Sequence, residues 1–197
     1  MRARVFQTVV AVLAPLLVFL VVASVMSTVT GRQAALDGDS PAHPEPLNMR
    51  LQYDAADAAA FWRALGAKGR VAEQRFLEFD LVFPTLYGGT LAASLLWLSR
   101  RARWHASTGI APVIVGVVSD WTENLVQLEQ LRRYVAAMGL QPDAIWIASI
   151  ATATKLLTLG VAYLLLFVLA VIVVRGRSTR AAMDAPVVGA PNGSRYR

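Results

Sequence analysis

Four apolar runs divide this chain, and the polar stretches between them are short. The first run, residues 5–29, follows Met-Arg-Ala-Arg and is broken only by Gln7, Thr8 and a few small hydroxyl residues. The second, 81–99, carries Pro84, Gly88 and Gly89 in its first half, which membrane helices tolerate where neighbouring helices re-satisfy the backbone. The third, 109–128, is interrupted by Asp120, Glu123 and Asn124. The fourth, 145–174, is the strongest; at ~1.5 Å per residue it would be about 45 Å long and must tilt or project beyond a hydrocarbon layer of ~30 Å. Each run is long enough to cross a bilayer as a helix. The predicted fold class is all-α, a transmembrane four-helix bundle with a short amphipathic extramembrane helix between spans one and two.

A cleaved signal peptide competes for the first run. Its apolar core should be only about 7 to 15 residues and end in an A-x-A-like site. Here the core is longer and Ala23-Ser24-Val25 ends wrongly, which favours an uncleaved signal anchor. After it, the proline-rich stretch from Asp37 to Pro46 resists helix and strand alike and reads as a flexible linker. From Asp54, a candidate N-cap, the residues Ala58, Phe61, Trp62 and Leu65 recur at helical spacing. Gly66 to Arg70 predicts a break, with helix resuming from Val71 to Phe79, so that 54–79 forms an extracytoplasmic helical segment. Its apolar face is expected to cap the bundle in preference to lying in the outer interface. Gly66, Lys68 and Gly69 lack P-loop spacing, and no strand precedes them.

Composition agrees with lipid as part of the solvent: 56% of residues are apolar and 16% charged, against about a quarter charged in soluble domains. Too little chain remains outside the spans for a second large domain. The predicted division is a cytoplasmic N-terminus at 1–4, a membrane domain at 5–175, and a disordered cytoplasmic tail at 176–197, rich in Ala, Gly, Pro, Ser and Arg. The formal charge of +6 changes the picture only through its placement. The arginines cluster beside apolar runs and form no stripe on a soluble fold, so nucleic acid is not an expected partner. Arg2 and Arg4, then Arg100, Arg101 and Arg103, then Arg175, Arg177 and Arg180 mark three cytoplasmic segments, which puts both termini in the cytoplasm. Segments 32–78 and 129–143 belong outside. Trp104, beside His105, and Trp146 are expected as interfacial anchors. The excess of arginine over lysine, with abundant alanine, suggests a bacterial source and hence the inner membrane. Cysteine is absent, which excludes disulfides and thiolate chemistry. His43 and His105 both lie outside the apolar runs, so neither an imidazole-held metal nor any cofactor is expected.

The candidate chemistry lies inside the spans. Asp120, Glu123 and Asn124 stand at i, i+3 and i+4, on one helical face. Counting ~1.5 Å per residue, they sit about 15 to 20 Å in from a cytoplasmic border near Ile110. Lys155 falls about 30 Å from Arg175, at the outer border; Tyr87 lies about 10 Å below Asp80 on the same side. With Thr152, these residues form a predicted polar cluster in the outer half of the membrane: Asp80, Tyr87, Asp120, Glu123, Asn124, Thr152 and Lys155. Ionisable groups at that depth need a partner or a watery pocket. Either Lys155 pairs with Asp120 or Glu123 and holds spans three and four in register, or the cluster lines an outward-facing pocket for a small ligand, an ion, a proton or a lipid headgroup.

Three patterns carry a resemblance. Leu65-Gly66-x-x-Gly69-Arg70, Asp80-x-x-Phe83-Pro84-x-x-Tyr87 and Asp120-x-x-Glu123-Asn124, with Lys155 in the last span, resemble a group of uncharacterised bacterial four-span membrane proteins over residues 53–174. The resemblance implies the four-helix architecture and brings no activity. H-E-x-x-H, G-x-S-x-G and Walker A patterns are missing. The expected function is therefore a binding or accessory protein, with partner subunits among its possible contacts. A membrane enzyme using Asp120 or Glu123 as acid or base is the alternative, as is a small transporter or channel subunit, for which no internal repeat is visible.

Overall fold

A computed structural model of the chain describes residues 2–37 and 45–183. Among these residues seven α-helices follow one another: α1 Arg2–Val29, α2 Arg32–Leu36, α3 Ala55–Ala64, α4 Gly66–Phe79, α5 Phe83–Ala102, α6 Ala106–Val135 and α7 Pro142–Met183, with a 3-10 turn at Leu47–Met49. No strand occurs among the described residues. Most of the expected linker, His43 included, and the tail from residue 184 lie outside them.

Among the described residues, three stretches are long and apolar enough to cross a membrane: Val5–Val29, Gly66–Ala102 and Pro142–Arg175. The expected third span, within α6, is not among them, because Asp120, Glu123, Asn124 and Gln127 lower its mean hydropathy. The second stretch also joins what the pattern of residues separates. Only the turn Asp80–Val82 lies between α4 and α5, with Asp80 N–H donating to the Phe76 carbonyl and Val82 N–H to that of Phe79.

Local chemistry explains the remaining boundaries. Asp54 starts α3 by accepting from the Ala56 and Asp57 amides, while the Asp57 carboxylate accepts from the Asp54 amide, a reciprocal capping box. The break expected over Gly66–Arg70 shrinks to a turn at Leu65: Gly66 takes φ +64, a left-handed conformation that glycine adopts without a Cβ penalty, and helix resumes at once. At the other end α7 passes the border expected at 174 and continues to Met183, into the segment expected to be disordered.

Packing divides the interior into zones. At one end, α3 lays Ala58, Phe61 and Trp62 over Leu128 and Leu131 of α6 and Ile145 and Ala148 of α7, closing the bundle with an apolar cap. At the other, Leu91, Leu95 and Leu98 of α5 meet Val113 of α6 and Ala162, Leu166 and Leu169 of α7. Helices α5 and α6 cross closely at Gly88, where an added Cβ would collide with Val117. Helix α1 belongs to the same assembly: the Phe19 ring stands 5.4 Å from that of Phe83 and 5.8 Å from that of Tyr87, and Met26 is buried beside Phe76. Removing α1 would strip the cover from these aromatic residues.

A buried polar layer as the candidate functional site

Between the cap and the apolar zone lies a layer of polar side chains. Asp80, Tyr87, Asp120, Glu123, Asn124, Thr152 and Lys155 are all buried in it. Helical periodicity explains how α6 can deliver so many. Asp120, Glu123, Asn124 and Gln127 occupy one face, buried, while the opposite face from Ala111 to Leu125 exposes only apolar residues, among them Ile114, Val115, Val118 and Trp121.

Lys155 of α7 is the centre of the layer. Its ammonium donates to Asp120 Oδ1 at 3.2 Å and lies 2.5 Å from Glu123 Oε2. The other Asp120 oxygen accepts from the Tyr87 hydroxyl at 2.7 Å, which ties α5 into the pair. Asn124 Nδ2 donates to the Asp80 backbone carbonyl at 3.0 Å and to Asp120 Oδ1 at 3.2 Å. The remaining Glu123 oxygen accepts from Gln127 Nε2 at 3.0 Å, and the same nitrogen donates to Tyr53 Oη at 2.9 Å. Tyr53 in turn lies 3.4 Å from Thr152 Oγ1, whose hydroxyl donates to the Ala148 carbonyl. One connected network therefore joins α5, α6, α7 and the segment before α3. Burial pushes the Tyr53 phenol up to about 12, so it stays a neutral hydrogen-bonding group at any ordinary pH.

A second buried pair stands apart. Arg32 of α2 donates to both Glu73 oxygens, from Nε at 2.6 Å and from Nη2 at 3.0 Å, and its guanidinium lies 3.8 Å from the centre of the Phe76 ring. Nη2 also donates to Asn48 Oδ1 at 3.1 Å. Among the described residues, no three histidine, aspartate or glutamate side chains are placed to hold a metal ion.

No protein-family model, curated protein or solved structure matches the chain. The site is thus read from its own residues. Sequence reasoning placed seven members of the layer and missed Gln127, Tyr53 and the Arg32–Glu73 pair. Gln127 had a signal, since it continues the face of Asp120, Glu123 and Asn124 by one more turn. Tyr53 had none, because Gln127 lies 74 residues away.

Proposed function

We propose that this chain is a four-span protein of a bacterial inner membrane, with both termini in the cytoplasm, acting as a binding or accessory protein built around the polar layer. One observation carries the reading: α6 turns its charges inward and an apolar face outward. The exposed residues of that face run from Ala111 to Leu125, and the first exposed charge beyond them is Glu129. At ~1.5 Å per residue the stretch from Gly109 to Leu128 is about 30 Å long, the thickness of a hydrocarbon core. Mean hydropathy misses such a helix because it counts the buried face together with the lipid-facing one. Trp104 and Trp146 are both exposed near helix ends, as interfacial anchors would be. Accessory rather than catalytic duty is favoured because both carboxylates best placed for acid–base work are held, Asp120 by Tyr87 and Lys155, and Glu123 by Gln127 and Lys155. A general acid or base must reach a substrate proton.

The chain has no cysteine, which makes topology directly measurable. Single cysteines replacing Arg103 and Glu129 are expected to react with a membrane-impermeant maleimide from opposite sides, Glu129→Cys in intact spheroplasts and Arg103→Cys only after lysis. Labelling of both from one side would reduce the protein to three spans. For function, a deletion strain carrying Glu123→Gln is expected to recover its phenotype in proportion to the amount of folded protein. A well-folded, abundant Glu123→Gln protein that fails to complement would favour the enzyme reading.

A further inference from the structure

Asp80 stands apart within the layer. It lies at the turn from α4 into α5, its side chain is buried, and among the described residues its carboxylate accepts no hydrogen bond and makes no ion pair. Its backbone carbonyl accepts from Asn124, which also holds Asp120, and the charged and titratable groups near enough to act on it are Asp120 and Glu123 from α6, Lys155 from α7, Tyr87 from α5, and Arg32 from α2, which is already matched by Glu73 of α4. Asp120 and Glu123 therefore hold the one ammonium between them, and among the described residues the buried Asp80 carboxylate is left without a counter-charge. Uncompensated charge in such a setting is expensive.

Independently of charge, the layer is short of donors. Asn124 Nδ2 serves two acceptors, the Asp80 carbonyl and Asp120, so the amide cannot be turned round without setting its oxygen against both. Its Oδ1 is buried and unpartnered. Gln127 repeats the arrangement: Nε2 is held by the acceptor-only Glu123 carboxylate, and Oε1 is buried without a donor. Too few positive charges and too few hydrogen-bond donors are one deficit seen twice, and a proton supplies both. Among the described residues, no three carboxylate or imidazole side chains are grouped to hold a divalent metal.

We propose that the layer is a proton-binding site and that Asp80 is the carboxyl that takes the proton. The step forms one O–H bond on an Asp80 carboxylate oxygen, using a proton from water at the cap end, and leaves hydroxide or deprotonated buffer behind. It lowers the net negative charge of the layer by one and adds one donor to a layer in which the Asn124 and Gln127 amide oxygens lack one. This deepens the reading of the layer as a binding site by naming its ligand.

The test is infrared spectroscopy of the full-length protein in nanodiscs of phosphatidylcholine, in H2O and D2O, from about pH 9 to about pH 5. At about pH 7, where exposed carboxyls are ionised, the expected result is a protonated-carboxyl C=O band with a deuterium shift. The band should disappear in Asp80→Asn and persist in Glu78→Gln, whose carboxylate is exposed. No such band in the unsubstituted protein overturns the proposal, as does a band that survives Asp80→Asn and is lost in Asp120→Asn. Should Asp80→Asn fail to fold, Asp80→Glu must move the band, and an unmoved band overturns the assignment. Saturable stabilisation by sodium or potassium chloride without a protonated-carboxyl band identifies a monovalent-cation site and overturns proton binding. Failure here would leave the four-span architecture untouched, since that is decided by maleimide labelling.

Discussion

Replacing Lys155 by methionine is expected to remove most of the folded protein. Among the described residues the ammonium is the only positive charge contacting Asp120 and Glu123, and its loss leaves two buried carboxylates on adjacent turns of α6. Breaking a buried pair by removing one partner costs about 3–5 kcal/mol, against a total stability of about 5–15 kcal/mol for a typical domain. Asp120→Asn alone is expected to be milder, because Lys155 keeps Glu123 and the asparagine can still accept from Tyr87. Lys155→Met combined with Asp120→Asn and Glu123→Gln should recover part of the loss, since neutral partners no longer leave a charge unpaired. Thermal melting followed by size-exclusion of detergent-solubilised protein measures all of these. Wild-type melting of Lys155→Met would show that the pair does not hold the helices together.

The second large effect is expected at Glu73. Glu73→Gln breaks a bidentate pair with Arg32 that is nearly free of solvent, again on the order of 3–5 kcal/mol. The consequence is directional. Arg32 lies just beyond α1, so its grip on α4 fixes how α1 leans on Phe83 and Tyr87. Loss of the pair should loosen the cap end of α1, and limited proteolysis of the segment between α1 and α3 should speed up before the rest of the protein melts. Glu78→Gln makes the control: its contact with Arg132 is at 3.4 Å between two half-exposed side chains, and such surface pairs are worth about 0–1 kcal/mol. Equal proteolysis rates for Glu73→Gln and Glu78→Gln would mean that the buried pair does not restrain α1.

Where the two layers of information part company is visible at particular residues. The capping box at Asp54 and the shared face of Asp120, Glu123 and Asn124 were legible because each depends on neighbours within one helical turn. The break near Gly66 was legible in kind but not in extent, since glycines and a lysine in a row suggest a loop and only the φ of Gly66 shows that one residue suffices. Helix α6 is ambiguous by composition alone, and its division into a buried polar face and an exposed apolar one follows from its packing between α5 and α7.

The chain by itself determined that this protein is helical and which side chains would be costly at membrane depth; it predicts four spans, whereas among the described residues three helical stretches are long and apolar enough to cross a membrane. These are consequences of periodicity and of the price of burying charge, both readable over a few turns of chain. Tertiary structure alone decided the partners: Lys155 with Asp120 and Glu123, Tyr53 with Gln127, and Arg32 with Glu73. Partners 32 to 74 residues apart meet only when whole helices have packed, and helix packing depends on surfaces that no local pattern encodes.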